Sequence, residues 1–200
     1  MYTKQNLLGL LALAPLMSFA APTSSCVATE DGDSSIATSF EILVDRSYSQ
    51  PGSPPPTFVL KTQDGVATMS DPGSSQQFSL INGVLSVGDR FQADDTPPTL
   101  FGTFGDYGFG DAKQIYFAET DDTEAKKNSR IVAKTECLPD GTGRQYLAVD
   151  VAGLSPSFEA ENYASNNKII IHPDPARGGG SVPVKLIVKP VLRKQSPATA

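Results

Sequence analysis

The side chains of this protein that can do chemistry are mostly acids. Close carboxylate pairs occur at Asp94 and Asp95, at Asp121 and Asp122, and at Glu159 and Glu161. The last pair has strand spacing, in which alternate residues share a face, so both carboxylates are expected to project together about 7 Å apart. That approaches the separation at which an inverting glycosidase holds its general acid and general base. Such hydrolysis also needs the pair to flank a bond in a cleft, and alternating Glu on the wet face of a sheet is the commoner arrangement. His172 is the sole histidine, so any imidazole mechanism must use it, with Asp174 placed to orient it as a general base. The plainer role is a polar residue closing the strand that begins at Lys168. Glu30, Asp31 and Asp33 offer hard oxygens to Ca²⁺ but lack the full EF-hand spacing, and read as a solvated acidic arm. There is no G-x-S-x-G elbow, P-loop or H-E-x-x-H, which removes several hydrolase, nucleotide-binding and zinc-protease templates. No catalytic residue, cofactor or metal site is assigned.

A binding surface is the alternative use of the unusual segment Leu100 to Asp111. There Phe101, Phe104, Tyr107 and Phe109 alternate with Gly102, Gly105, Gly108 and Gly110. The rings offer apolar area and the glycines allow close approach, so these four aromatics are the candidate contact residues for a glycan or another protein surface. The competing reading is a bend whose rings plug the core and whose glycines turn corners. The absence of tryptophan argues against a conventional sugar-stacking platform, although Tyr107 and Tyr116 can substitute.

These residues must be positioned by a secreted domain. Lys4 precedes an apolar run that ends at Ser18-Phe19-Ala20, the pattern of a signal peptide over residues 1–20 with cleavage before Ala21. As a helix, Leu7 to Phe19 would be roughly 20 Å long, too short for a hydrocarbon core of about 30 Å, so no membrane span is expected. The expected mature terminus is not a histidine, as a copper-dependent polysaccharide oxidase requires. Loss of the leader takes Lys4 and no acid, moving the formal net charge from −6 to −7. Scattered basic residues in an acidic chain argue against nucleic acid and anionic membrane as partners. No Asn-x-Ser/Thr acceptor and no apolar C-terminal tail occur, so N-glycosylation and a GPI-type anchor are not expected.

Cys26 and Cys137 are the only cysteines. In an oxidising compartment a disulfide between them is the expectation. It would close a loop of roughly 110 residues, for which chain entropy assigns about 4.7 kcal/mol at most.

Residues 21–38 carry almost no large apolar side chains and read as a flexible, exposed arm. From Phe40 the period becomes two, with Phe40, Ile42 and Val44 on one face. After the proline-rich stretch Gln50 to Pro56, a strand is expected from near Thr57. Asn82-Gly83 is the pair best able to hold positive φ at both centres of a type I′ turn. It should set Ile81 opposite Val84, Leu80 opposite Leu85, Ser79 opposite Ser86 and Phe78 opposite Val87, with Phe78, Leu80, Leu85 and Val87 on one face. Further strands are expected at Val66 to Met69, Gln114 to Glu119, Arg130 to Leu138, Gln145 to Val151, Ser157 to Glu161, Lys168 to His172 and Val182 to Val191. Pro139 to Gly143 is a turn, and Asp121 to Asn128 has helical character with Asp121 as its cap. The fold class is therefore all-β: one antiparallel sandwich or jelly-roll domain over residues 39–192, with a trefoil-like β-barrel as the alternative and residues 193–200 as a tail.

Phe40 to Ser49, with Phe78 to Leu85, resembles the opening of small secreted fungal cell-wall proteins of the phialide-protein type. The resemblance implies a non-enzymatic component of a fungal wall or culture fluid and carries over no functional residue. The resulting expectation is a secreted, extracellular or wall-associated protein acting by adhesion or matrix association, with wall polysaccharide or another surface protein as partner. A hydrolase using paired carboxylates, or a host-directed effector or ligand-binding module, is the alternative.

Overall fold

Alternation of apolar and polar side chains drives this chain into short strands, because a half-buried strand hides one face and wets the other. The computed structural model describes residues 26–46, 58–73, 76–88, 100–108, 110–119, 122–161, 167–173 and 181–191. Within them the strands are β1 (Thr29–Asp33), β2 (Phe40–Asp45), β3 (Phe58–Gln63), β4 (Val66–Ser70), β5 (Phe78–Ile81), β6 (Val84–Val87) and β7 (Leu100–Asp106). After β8 (Lys113–Ala118) comes a short helix, α1 (Thr123–Lys127). It is followed by β9 (Ile131–Cys137), β10 (Gly143–Val149), β11 (Phe158–Glu161), β12 (Ile169–Ile171) and β13 (Ser181–Pro190).

The all-β, antiparallel class holds, but the pairing does not divide clearly into the two packed sheets of a sandwich or jelly roll. Hydrogen bonding instead closes an eight-stranded antiparallel barrel in the order β2, β5, β6, β7, β8, β12, β11, β13 and back to β2. Closure removes the free edges that a flat sheet would leave open. The β3–β4 hairpin joins β2 through Leu43↔Val59 and Val44↔Phe58, and β8 through Val66↔Tyr116. It therefore bridges opposite members of the ring. Its Asp64-Gly65 turn has both residues at positive φ, 52° and 74°, as a type I′ connection requires.

One hydrophobic cluster runs through the barrel, with Phe40, Phe78, Leu80, Ile115, Phe158 and Leu186 among its fully or almost fully buried members. At about 25 cal/mol per Å² of apolar surface, such burial is the dominant favourable contribution to folding. The β5–β6 register matches the expected pairing at all four positions. Asn82 and Gly83 hold φ of 52° and 80°, Phe78, Leu80 and Leu85 are fully buried, and Val87 packs against the same cluster. Ser79 and Ser86, on the other face, are buried as well.

Cys26 and Cys137 form the expected disulfide, with Cα atoms 5.6 Å apart. It ties down a segment that is exposed yet laid along the sheet, since Thr29 lies opposite Thr135 and Asp33 opposite Ala133. The chain then hydrogen-bonds to the Asn82-Gly83 hairpin, where the Gly83 N–H donates to the Ser34 carbonyl at 2.6 Å and the Ile36 N–H to Leu80 at 2.9 Å. Residues 1–20 and 193–200 lie outside the described residues. Among the described residues no helix is long and apolar enough to cross a membrane.

The cap of α1 is Asp122, whose carboxylate accepts from the Glu124 and Ala125 N–H groups at 2.9 and 3.0 Å. Asp121, the expected cap, lies outside the described residues. Ser129 follows the helix, donating to the Ala125 carbonyl at 2.6 Å and accepting from the Phe104 N–H at 2.7 Å. It thereby fastens α1 to β7.

Candidate functional site

The aromatic and glycine segment is a strand, β7, as far as Asp106, and it turns beyond that, where Gly108 and Gly110 hold φ of 90° and 60°. Gly102 faces inward, where an added Cβ would stand 3.1 Å from the Phe117 ring and 3.2 Å from Ile115. Gly105 faces outward beneath Tyr116, whose ring comes to 2.6 Å from an added Cβ. Both glycines thus mark close approach by a neighbouring ring. The four candidate aromatics separate accordingly. Phe104 is partly buried against the core. Phe101 is half-buried under Lys126, whose ammonium is 3.8 Å from the ring centre. Phe109 lies outside the described residues.

Tyr107 leaves the end of β7 and meets the acid pair. On β11, Phe158 and Ala160 enter the core, so period two sends Glu159 and Glu161 to the outer face. The Tyr107 hydroxyl hydrogen-bonds Glu161, and the Lys168 ammonium lies 5.6 Å from the Tyr107 ring centre. Burial, then the Glu161 hydrogen bond and its negative charge, push the Tyr107 pKa up to about 12. The phenol is therefore a donor at neutral pH, not a base.

Glu159 is 4% exposed, accepts a hydrogen bond from the Ser181 hydroxyl, and has His172 Nε2 3.8 Å from its Oε2. Asp174, the expected orienter of His172, lies outside the described residues. The antiparallel register explains the convergence: Glu159 stands opposite Ile170 on β12, and Ile170 opposite Gln114 on β8. Gln114 Nε2 donates to the Tyr116 hydroxyl, which donates to the Asp106 carbonyl at 3.1 Å. Gln114 Oε1 and Glu161 Oε2 are buried and have no hydrogen-bond partner among the described residues.

The structure therefore joins Tyr107, alone of the four candidate aromatics, with the acid pair and the single histidine on one polar face of β8, β12 and β11. Asp94 and Asp95 lie outside the described residues. Glu30, Asp31 and Asp33 stay exposed on β1, and no group of side chains suited to a metal ion occurs among the described residues.

A second polar cluster, on the outer face of β2, β13, β10 and β9, has no sequence signature. Arg144 bonds Glu136 at 2.6 Å and lies 3.4 Å from Asp45, while Lys185 also bonds Glu136. Burial would raise the Glu136 pKa, but hydrogen bonds from Lys185 and Arg144, with their charges, hold it below the ordinary value. Asp45 is 3% exposed, and the Arg144 cation 3.4 Å away helps to make its burial tolerable.

The chain matches no family model, no curated protein and no solved structure. Function must be argued from these two faces.

Proposed function

We propose that this is a secreted, non-catalytic protein that associates with a hydroxyl-rich surface polymer, of which cell-wall polysaccharide is the leading case. The contact is the face of Tyr107, Tyr116, Lys168 and Glu161. One observation carries this reading: the Tyr107 ring stands half-buried just beyond β7, with its hydroxyl held by Glu161 and the Lys168 ammonium 5.6 Å from its ring centre. Sugars complement such a face, because their hydroxyls bond phenol and ammonium groups and their C–H surfaces lie on aromatic rings. The signal-peptide pattern and the resemblance to phialide-type wall proteins support the same compartment.

Non-catalytic association fits the acid pair better than hydrolysis does. General acid and base must face one bond between them, whereas Glu159 is engaged by Ser181 beside His172 and Glu161 by Tyr107. Sedimentation with insoluble wall polysaccharide, comparing the unmodified protein with Tyr107→Ala, tests the proposal.

A further inference from the structure

Strand β13 changes partner part-way along one edge. Its residues Ser181 to Val184 pair with β11, and Leu186 and Ile187 pair with β10. β10 and β11 must part at Lys185, and a notch of about 220 Å³ opens between them. Lys134, Tyr146, Ala148, Pro156, Ser157 and Lys185 line it.

The chemistry of these walls is specific. Lys134 stands opposite Tyr146 in the β9–β10 register and forms no ion pair with any described residue. Lys185 lies 4.6 Å from the Tyr146 ring centre and shares Glu136 with Arg144. Asp45 and Glu136 thus offset Arg144 and Lys185, which leaves Lys134, among the described residues, as the lining cation without an ion pair. Ser157 adds a hydroxyl on the opposite bank. The volume is below the roughly 300 Å³ at which drug-sized pockets begin, so the notch suits a single ring.

We propose that this notch binds one carboxylate-bearing sugar unit of the uronic acid class. The carboxylate pairs with Lys134, the ring lies against Tyr146, and Ser157 meets a ring hydroxyl. This site is separate from the Tyr107 face, so either can fail without the other.

The test is an NMR titration of the intact, disulfide-bonded protein with glucuronate, with glucose and acetate as comparison probes. Glucuronate should shift the amide signals of Tyr146, Ser157 and Lys185 saturably, and added salt should weaken the effect. Lys134→Gln should reduce the affinity about tenfold, equivalent to about 1.4 kcal/mol, while its unfolding temperature and the Tyr107 signals stay unchanged. Ser157→Ala, at an exposed residue, should weaken glucuronate but not acetate. Glucose binding as tightly as glucuronate, acetate binding as tightly, or full affinity in Lys134→Gln would each overturn the proposal.

Discussion

The Tyr107 hydroxyl rests on the Glu161 carboxylate, joining the end of the aromatic strand to the acid pair three strands away around the barrel. Burial first, and then this contact, raise the phenol pKa from 10.0 to about 12, so folding favours the protonated ring. Stability from this source is complete below about pH 10 and is lost as pH rises towards 12. In Tyr107→Phe, the part of the alkaline stability loss that falls in this window should disappear. Thermal unfolding of both proteins from pH 9 to 12 measures it, and identical profiles would remove the contact from the account.

Acid acts on the other face in the opposite direction. Lys185 and Arg144 hold the Glu136 pKa below the ordinary 4.5, so its contribution is present above that value and fades as pH falls through the folded pKa. Glu136→Gln should therefore be less stable than the unmodified protein at pH 7, with the gap closing in acid. A constant gap between pH 7 and pH 3 would contradict the assignment.

At the β5–β6 turn, Gly83 has φ of 80° and an added Cβ would meet the Arg130 side chain at 3.2 Å. Gly83→Val should lower stability by about 1 to 3 kcal/mol, the cost of a β-branched residue held at positive φ. Chemical denaturation reads this directly, and an unchanged midpoint would mean that the turn is not type I′.

The Cys26–Cys137 bridge spans 111 residues of sequence. Reduction should destabilise the fold by up to about 4.7 kcal/mol, and by less where the reduced denatured chain stays compact. Peptide mapping without reductant should recover the linked pair, whereas two titratable thiols in the native protein would contradict the bridge.

How far the sequence announced this arrangement depended on how local each cause was. Asn82-Gly83 between alternating apolar runs determined a hairpin register to the residue, because turn chemistry and side-chain period agree there. Asp64-Gly65 carried the same signal. β7 was hidden because Gly102 and Gly105 interrupt the period of two, and their partners, Phe117 and Tyr116, lie on another strand. β1 has no apolar side chain in Thr29–Asp33 and is held by backbone pairing to β9 beside the disulfide. Barrel closure rests on pairings such as Phe40↔Phe78 and Ile170↔Gln114, which no local pattern encodes. The common face of Glu159 and Glu161 followed from strand spacing alone, but the arrival of Tyr107, His172 and Ser181 required the register of several distant strands. Asp45, Glu136, Arg144 and Lys185 are likewise neighbours only in three dimensions.

The most direct measurement of the central claim is co-sedimentation with insoluble fungal-wall β-glucan and chitin, with thermal unfolding recorded on the same samples. Tyr107→Ala should retain its fold, since the ring is half-buried at the end of β7, and should lose retention at least fivefold. Phe104→Ala, against the core, should instead lose stability, with about 3 kcal/mol expected for a partly buried ring, and keep its retention while folded. Undiminished retention of folded Tyr107→Ala on the polymer would contradict the account.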